Sequence, residues 1–347
     1  MDPRDVDLYR CRHHADPAQH PVRARARHAE GTLVNFDLDQ DERALQAAIR
    51  DLCRGVFPME TVRGLESSSG ISSETWGALE DAGVFSLRLP ESDGGAGLGM
   101  TAAVIVFEQL GRALVPGPLV GTHLARTLGI PGERVTFAHR DDLVISNLDS
   151  SDAVAVIDAE GVWVISQNGI AGVPVAQPLD PLTPVSRVSS LPQGERVVEG
   201  ADVSAIRLEA SALTAALLVG IATAETDLAV AYAKERRQFG RPIGSFQAVK
   251  HICADMLTRA EVARAAVYAA GVHLDGHGDG DTARAVTGAM LLASEAAFAN
   301  GKACVQVHGG MGFTWEIDAH LYLKRAAALI ALHGGADTYA EEMAAAL

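Results

Sequence analysis

The chain has 347 residues and a formal net charge of −15, from 29 Lys and Arg against 44 Asp and Glu. Hydrophobic residues make up 48% and charged residues 21%; this globular balance excludes disorder, collagen-like repeats and a disulfide scaffold as the main description, and at roughly 100–200 residues per domain it suggests two or three domains. The acidic balance argues against a nucleic-acid partner, which needs clustered Lys and Arg, but leaves room for one basic pocket for an anionic ligand.

Residues 1–33 are rich in Arg, His and Pro, lack apolar periodicity, and read as a flexible tail or a mis-assigned start. From Asp39 a helix is well signalled. Asp39 can cap it, Glu42 follows three residues on, and Leu45, Ile49, Leu52 and Val56 form one apolar stripe. Ser72 or Ser73 starts a second helix through Trp76, Leu79 and Glu80, which the glycines of PESDGGAGLG break. A third spans about Thr101 to Arg112, and Pro116-Gly117-Pro118 ends this helical region. Residues 119–200 change character. VTFAHRDDLVISN, DAVAVIDAEGVWVIS and ERVVEGADV have a strand-and-turn composition, which predicts a small β domain.

From Ser204 helices return. Leu213, Leu217, Gly220, Ala224 and Leu228 mark one face of a long helix ending near Phe239, and FGRPIGS is a loop. Phe246, Val249, Cys253, Met256, Ala260, Ala263 and Val267 then recur at helical spacing, close to a bundle seam. Further helices are expected over about Thr282–Val307 and Ile317–Ala331. The fold expected is mostly α with a small β domain: a helical domain over 34–118, a β domain over 119–203 and a helical bundle over 204–347. The four cysteines, at 11, 53, 253 and 304, form no C-x-x-C pair, so neither a metal site nor a disulfide is expected and the cytoplasm is the expected compartment. No uninterrupted apolar run reaches the roughly 18 residues of a membrane span, and the N-terminus lacks a signal-like apolar core.

Two segments are unusual as pure packing. KERRQFGRPIGSFQAVKH, 234–251, sets Arg236 and Arg237 at a helix end before a Gly/Pro turn, with Gln247 on the next helix. Arg offers forked donors to phosphate oxygens, although Arg at a helix C-terminus also suits the macrodipole. QVHGGMGFTWE, 306–316, carries Gly309, Gly310 and Gly312, which admit a close backbone approach or simply terminate a helix. It is neither a P-loop nor a Rossmann fingerprint.

These two motifs, with WGALEDAGVFSLRLPESDGGAGLG, FEQLGRAL and the helix–β–helix order, resemble the acyl-CoA dehydrogenase family over about residues 34–347. The resemblance implies FAD at a dimer interface. One subunit cradles the flavin ring and acyl-CoA; its neighbour contacts the diphosphate and adenosine. The positions here matching the neighbour's set are Arg236, Gln238, Phe239, Ile243, Phe246, Gln247, Gln306, Gly309 and Gly310.

The chain departs from the family pattern where the catalytic base should stand. The implied reaction removes a substrate α-proton to a carboxylate while the β-hydride passes to flavin. Aligned from GMGF, the usual Glu position is His333, read as a base in its own right or as a relic. The alternative family position is Ala210, with Glu209 beside it. One residue turns a helical side chain by about 100°, so Glu209 is a weak substitute. The family's Thr-Glu-Pro-x-x-Gly-Ser-Asp stretch, expected around 136–150, is replaced by TFAHRDDLVISNLDS. This pattern resembles the incomplete partner subunit of the α2β2 acyl-CoA dehydrogenases of actinobacterial steroid degradation. It implies a related dehydrogenase subunit as partner, an acyl-CoA substrate and an electron-transfer acceptor. Two rivals stand beside it: a self-sufficient homo-oligomer using His333 or Glu209, and a non-enzymatic scaffold.

Overall fold

A computed structural model describes residues 26–27, 33–34, 38–67, 70–200, 203–278 and 280–345. The tail expected over 1–33 lies outside these residues, apart from a two-residue ladder of β1 (Ala26–Arg27) with β2 (Leu33–Val34). Helix α1 (Gln40–Val56) begins with the expected capping box. The Glu42 N–H donates to Asp39 Oδ1 at 2.8 Å, and the Asp39 N–H donates to Glu42 Oε2 at 2.9 Å. Its stripe buries Ile49 and Cys53, with Leu45, Leu52 and Val56 packed alongside. Helices α2 (Met59–Gly64) and α3 (Ser73–Asp81) follow, α3 capped by the Ser72 hydroxyl. Helix α4 (Met100–Arg112) is buried over most of its length.

The next element differs from expectation. Leu119–Thr127 is a helix, α5, so the strand-and-turn reading of 119–200 begins too early. Pro118 starts this helix, because a proline at a helix N-terminus gives up no needed N–H. Helix α5 buries Leu119, Leu124 and Ala125, and its Thr122 hydroxyl accepts the Val135 N–H at 3.1 Å. That bond docks it on the first strand of the sheet region. The strands are β3 (Val135–His139), β4 (Val144–Ser146), β5 (Ala153–Ile157), β6 (Gly161–Ser166), β7 (Gly172–Pro174), β8 (Val185–Val188) and β9 (Glu195–Glu199). They form a four-stranded sheet, β3-β5-β6-β9, and a three-stranded one, β4-β8-β7; only β3 and β5 pair in parallel.

The long helix α6 (Val203–Glu235) stops before Phe239, and Arg237–Gln238 (β10) turns back onto Arg241–Pro242 (β11). Nor does α6 bury a single face: every residue from Ala212 to Ala222 is buried. A helix apolar all round belongs inside a core. By length and composition alone α6 could cross a membrane, yet 67% of its most apolar stretch is buried within the fold. Helices α7 (Gln247–Leu274), α8 (Thr282–His308), α9 (Ala319–Leu332) and α10 (Gly335–Ala345) complete the chain. The seam read on α7 is real: Cys253, Met256, Ala260, Ala263 and Val267 are buried.

Helices α4 and α6 cross at backbone distance. A Cβ on Gly111 would stand 2.1 Å from the Leu217 carbonyl oxygen, and one on Gly220 2.0 Å from that of Glu108. Beside the crossing, Glu108 accepts from Arg264 Nε at 3.0 Å and from the Tyr268 hydroxyl at 2.7 Å, tying α4 to α7. Arg325 of α9 pairs with buried Asp180 and donates to the Val115 carbonyl at 3.1 Å. That side chain joins the N-terminal helices, the sheet region and the C-terminal helices.

Candidate functional site

One end of the C-terminal bundle collects most of the residues that the sequence singled out. Helices α6 and α8 both finish there, and α7 and α9 both start there. A small apolar cluster forms the platform: Ala229, Ala233, Met256, Cys304, Val307 and Ala319, with Tyr232, Ile243, Val249 and Ile317 against it. The Tyr232 and His308 rings lie 4.2 Å apart, fixing the last turn of α6 beside that of α8. The Ile243 N–H donates to the Arg236 carbonyl at 2.7 Å and closes the hairpin onto the helix end.

On this platform the polar groups face outward. Arg236, Gln238, Gln247, Gln306, Gly309 and Gly310 are all exposed. Arg237 spends one donor on the Gly240 carbonyl at 3.2 Å, whereas the Arg236 guanidinium has no hydrogen-bond or ion-pair partner among the described residues. Gly309 has φ +61°, and a Cβ on Gly309 or Gly310 would meet nothing within 4 Å, so the backbone there is open to an approaching group. Gly312 is different: its Cβ would strike the Val305 carbonyl oxygen at 2.5 Å, so it serves packing. Ile243 belongs to the platform and faces inward.

Phe239 is the least expected feature. It is 91% exposed and has φ +51°, with Gly240 beside it at φ +79°. Two successive positive φ values are what a two-residue hairpin turn requires, but a bulky residue at the first is a strained choice. Its ring meets Phe246 edge-on at 6.1 Å, and the Arg241 guanidinium lies 4.2 Å from the Phe246 ring centre. Phe313 and Trp315, 86% and 64% exposed on the loop between α8 and α9, add apolar surface. Neither of those two was singled out from the sequence, although both stand within the glycine motif.

The two candidate bases lie elsewhere. Glu209 sits near the start of α6, about 40 Å from Arg236 at 1.5 Å per helical residue. Both its oxygens are taken: Arg88 Nη1 and Nη2 each donate to one at 2.8 Å. A carboxylate held bidentately in this way is a structural ion pair. His333 is the C-cap of α9, and its Nε2 lies 3.1 Å from the Thr214 hydroxyl on α6. Desolvation of the ring, with the His139 imidazole as a lesser cause, lowers its pKa to about 4. Near neutral pH it is an uncharged imidazole bonded to a threonine. Arg88 and Thr214 carry no local signal of these roles; Arg88 is 121 residues from its partner.

The N-terminal domain of acyl-CoA dehydrogenase matches residues 39–130 and its C-terminal domain residues 199–347. The chain belongs to the acyl-CoA dehydrogenase family. Among relatives it is similar to the acyl-CoA dehydrogenase IpdE2 of Mycolicibacterium smegmatis, 34% identical over 83% of this chain and 93% of that one. It is also 34% identical to FadE34 of Mycobacterium tuberculosis over 86% of its own length, and spans about half, 47%, of FadE34. The ChsE4-ChsE5 complex from Mycobacterium tuberculosis shares the fold with a TM-score of 0.76, covering 90% of this chain and 98% of that one. At 21% identity that likeness speaks to the fold alone.

The exposed end has the donor chemistry for a flavin dinucleotide. An unspent guanidinium suits a diphosphate, the open glycine backbone admits close approach, and exposed amides and aromatic rings suit the nucleotide.

Proposed function

We propose that this chain is the base-less subunit of a FAD-dependent acyl-CoA dehydrogenase, and that it completes the flavin site of a related, catalytically complete subunit in a heterotetramer. One contrast carries the reading. Among the described residues the Arg236 guanidinium is exposed and unpartnered, while Glu209 and His333, toward the other end of α6, are bonded within the chain.

In this reading Arg236 neutralises diphosphate charge, and Gln238 and Gln306 supply side-chain amides to the nucleotide. Gly309 and Gly310 admit it to the backbone; Phe239 and Phe246 shield it from water. Bound FAD supplies the hydride acceptor for Cα–Cβ desaturation of a CoA thioester. The α-proton goes to a carboxylate of the partner, since this chain presents none at either family position. A bulky steroid-type thioester suits a site built from two unlike subunits, and an electron-transfer protein suits the reoxidation.

The test is a visible spectrum of the chain purified alone and after co-expression with a related dehydrogenase. Near-stoichiometric flavin only in the complex supports the reading, and Arg236→Ala should then lower flavin occupancy. A lone chain that is yellow and bleached by an acyl-CoA would overturn it in favour of a self-sufficient enzyme. A complex without flavin would leave a scaffold.

A further inference from the structure

The loop between α8 and α9, residues 309–318, opens with a short 3-10 turn, Gly309–Phe313, whose glycines allow other backbone paths. Gly312 is buried and Ile317 packs on the platform, while Phe313, Trp315 and Glu316 between them are exposed. Local bonds shape it: the Thr314 N–H and hydroxyl both donate to the Met311 carbonyl, at 2.9 and 2.7 Å, and His320 Nδ1 lies 2.7 Å from the Ile317 carbonyl. Trp315 leans on its own helix, with Lys324 Nζ 4.2 Å from its ring centre and the His320 ring edge-on at 4.7 Å. Arg325 anchors α9 farther along, at Asp180 and Val115, and neither ring contact bonds the exposed stretch before it to the N-terminal helices.

That bond comes from the other end of the sequence. Arg63, in the last turn of α2, donates Nε to Asp318 Oδ1 at 2.6 Å and Nη1 to the Trp315 carbonyl at 2.5 Å. One planar fork thus holds both the N-cap residue of α9 and the backbone beside the exposed indole. Lysine cannot reproduce this, because a point ammonium lacks two parallel donors. The side chains are 31% and 24% exposed, so the pair contributes little to stability; what it fixes is position.

We propose that Arg63 is a positioning residue for the composite flavin site. It holds the 309–318 loop in the conformation that meets the dinucleotide and the partner subunit, so that binding need not order the loop. The proposal rests on the composite-site reading above. A loop freed from Arg63 must be ordered on binding, and about tenfold faster FAD release is the expected effect.

The experiment uses the co-expressed complex loaded with FAD, with release followed by flavin fluorescence after dilution. Arg63→Ala should release FAD about tenfold faster while the complex stays assembled by size exclusion, and Arg63→Lys should recover only part of the loss. Arg54→Ala, which removes an exposed arginine paired with Asp51 one turn away, should match the wild type. Wild-type release from Arg63→Ala would overturn the proposal and leave the composite reading standing. A wild-type complex holding no FAD would overturn both. Should Arg63→Ala fail to assemble, Arg63→Lys decides: faster release supports the fork, and wild-type release refutes it.

Discussion

Glu225 offers a sharp physical test of the bundle core. It is fully buried on α6, and among the described residues neither carboxyl oxygen has a hydrogen-bond partner. Gly301 of α8 faces it so closely that a Cβ there would stand 2.6 Å from Oε1, with Leu323 of α9 on the same side. Desolvation pushes its pKa well above the ordinary value, so the folded chain keeps it protonated where the unfolded chain has ionised it. The sign follows from linkage. A folded pKa above the unfolded one means that the acid's contribution is fully present below about pH 4.3 and is lost as pH rises through the folded pKa. While the folded acid stays protonated and the unfolded one is ionised, the loss runs at up to about 1.4 kcal/mol per pH unit. Glu225→Gln has nearly the same shape and cannot ionise. Urea unfolding followed by circular dichroism from pH 4 to 7 should show the variant gaining steadily on the wild type as pH rises above about 4.3. Glu225→Met should show the same slope with a further offset of about 1–3 kcal/mol, because it removes the unpartnered polar atoms. A stability difference that stays flat over this range would refute the burial reasoning.

His333 has the opposite slope: its folded pKa of about 4 lies below the unfolded value, so its contribution is present above about pH 6.5 and is lost as pH falls toward 4. His333→Gln should flatten the stability profile in that window and leave turnover by the complex unchanged, measured by dye reduction. Gly220→Ala drives a methyl into the Glu108 carbonyl and should cost about 3 kcal/mol, read from the urea midpoint. Phe239→Gly removes a positive-φ penalty of about 1–2 kcal/mol and should stabilise the chain while the complex retains less FAD. Arg88→Met should cost about 1–2 kcal/mol by breaking the bidentate pair, yet should confer no dehydrogenase activity on the lone chain.

What could be read from the sequence follows the range of the physics involved. The α1 capping box and the α7 seam are local patterns, set by contacts within a few residues, and both stand in the fold. Helix α5 was hidden because Pro116-Gly117-Pro118 signals a stop as readily as a start; its buried face is defined by distant partners, the strand at Val135, the Phe107 ring and the Val84 carbonyl. The one-faced reading of α6 failed for a related reason. Alanine and glycine pack inward only when another backbone comes close, as α4 does at Gly111, and no periodicity announces that. The candidate site divides in the same way. Its exposed end lies in two continuous motifs and was visible. The Arg88–Glu209 pair and the Arg63 fork join residues 121 and more than 250 positions apart, and each member alone looks like an ordinary surface charge.

The two ends of α6 answer to different constraints. About 40 Å of buried helix separates the Arg88–Glu209 pair from the Arg236 hairpin, and sites so far apart with no shared partners respond independently to substitution. The core that holds α6 in place consists of small and apolar residues against α4, α7 and α8, and neither a base nor a flavin contact belongs to it. A subunit of this fold can therefore lose its own base, and bond the remaining polar groups into structural pairs, without disturbing the end it offers to a neighbour. In this chain Arg88 takes up Glu209 and Thr214 takes up His333. On the composite-site proposal, division of labour between unlike subunits fits this architecture: the exposed donors at one end serve a partner that carries the base.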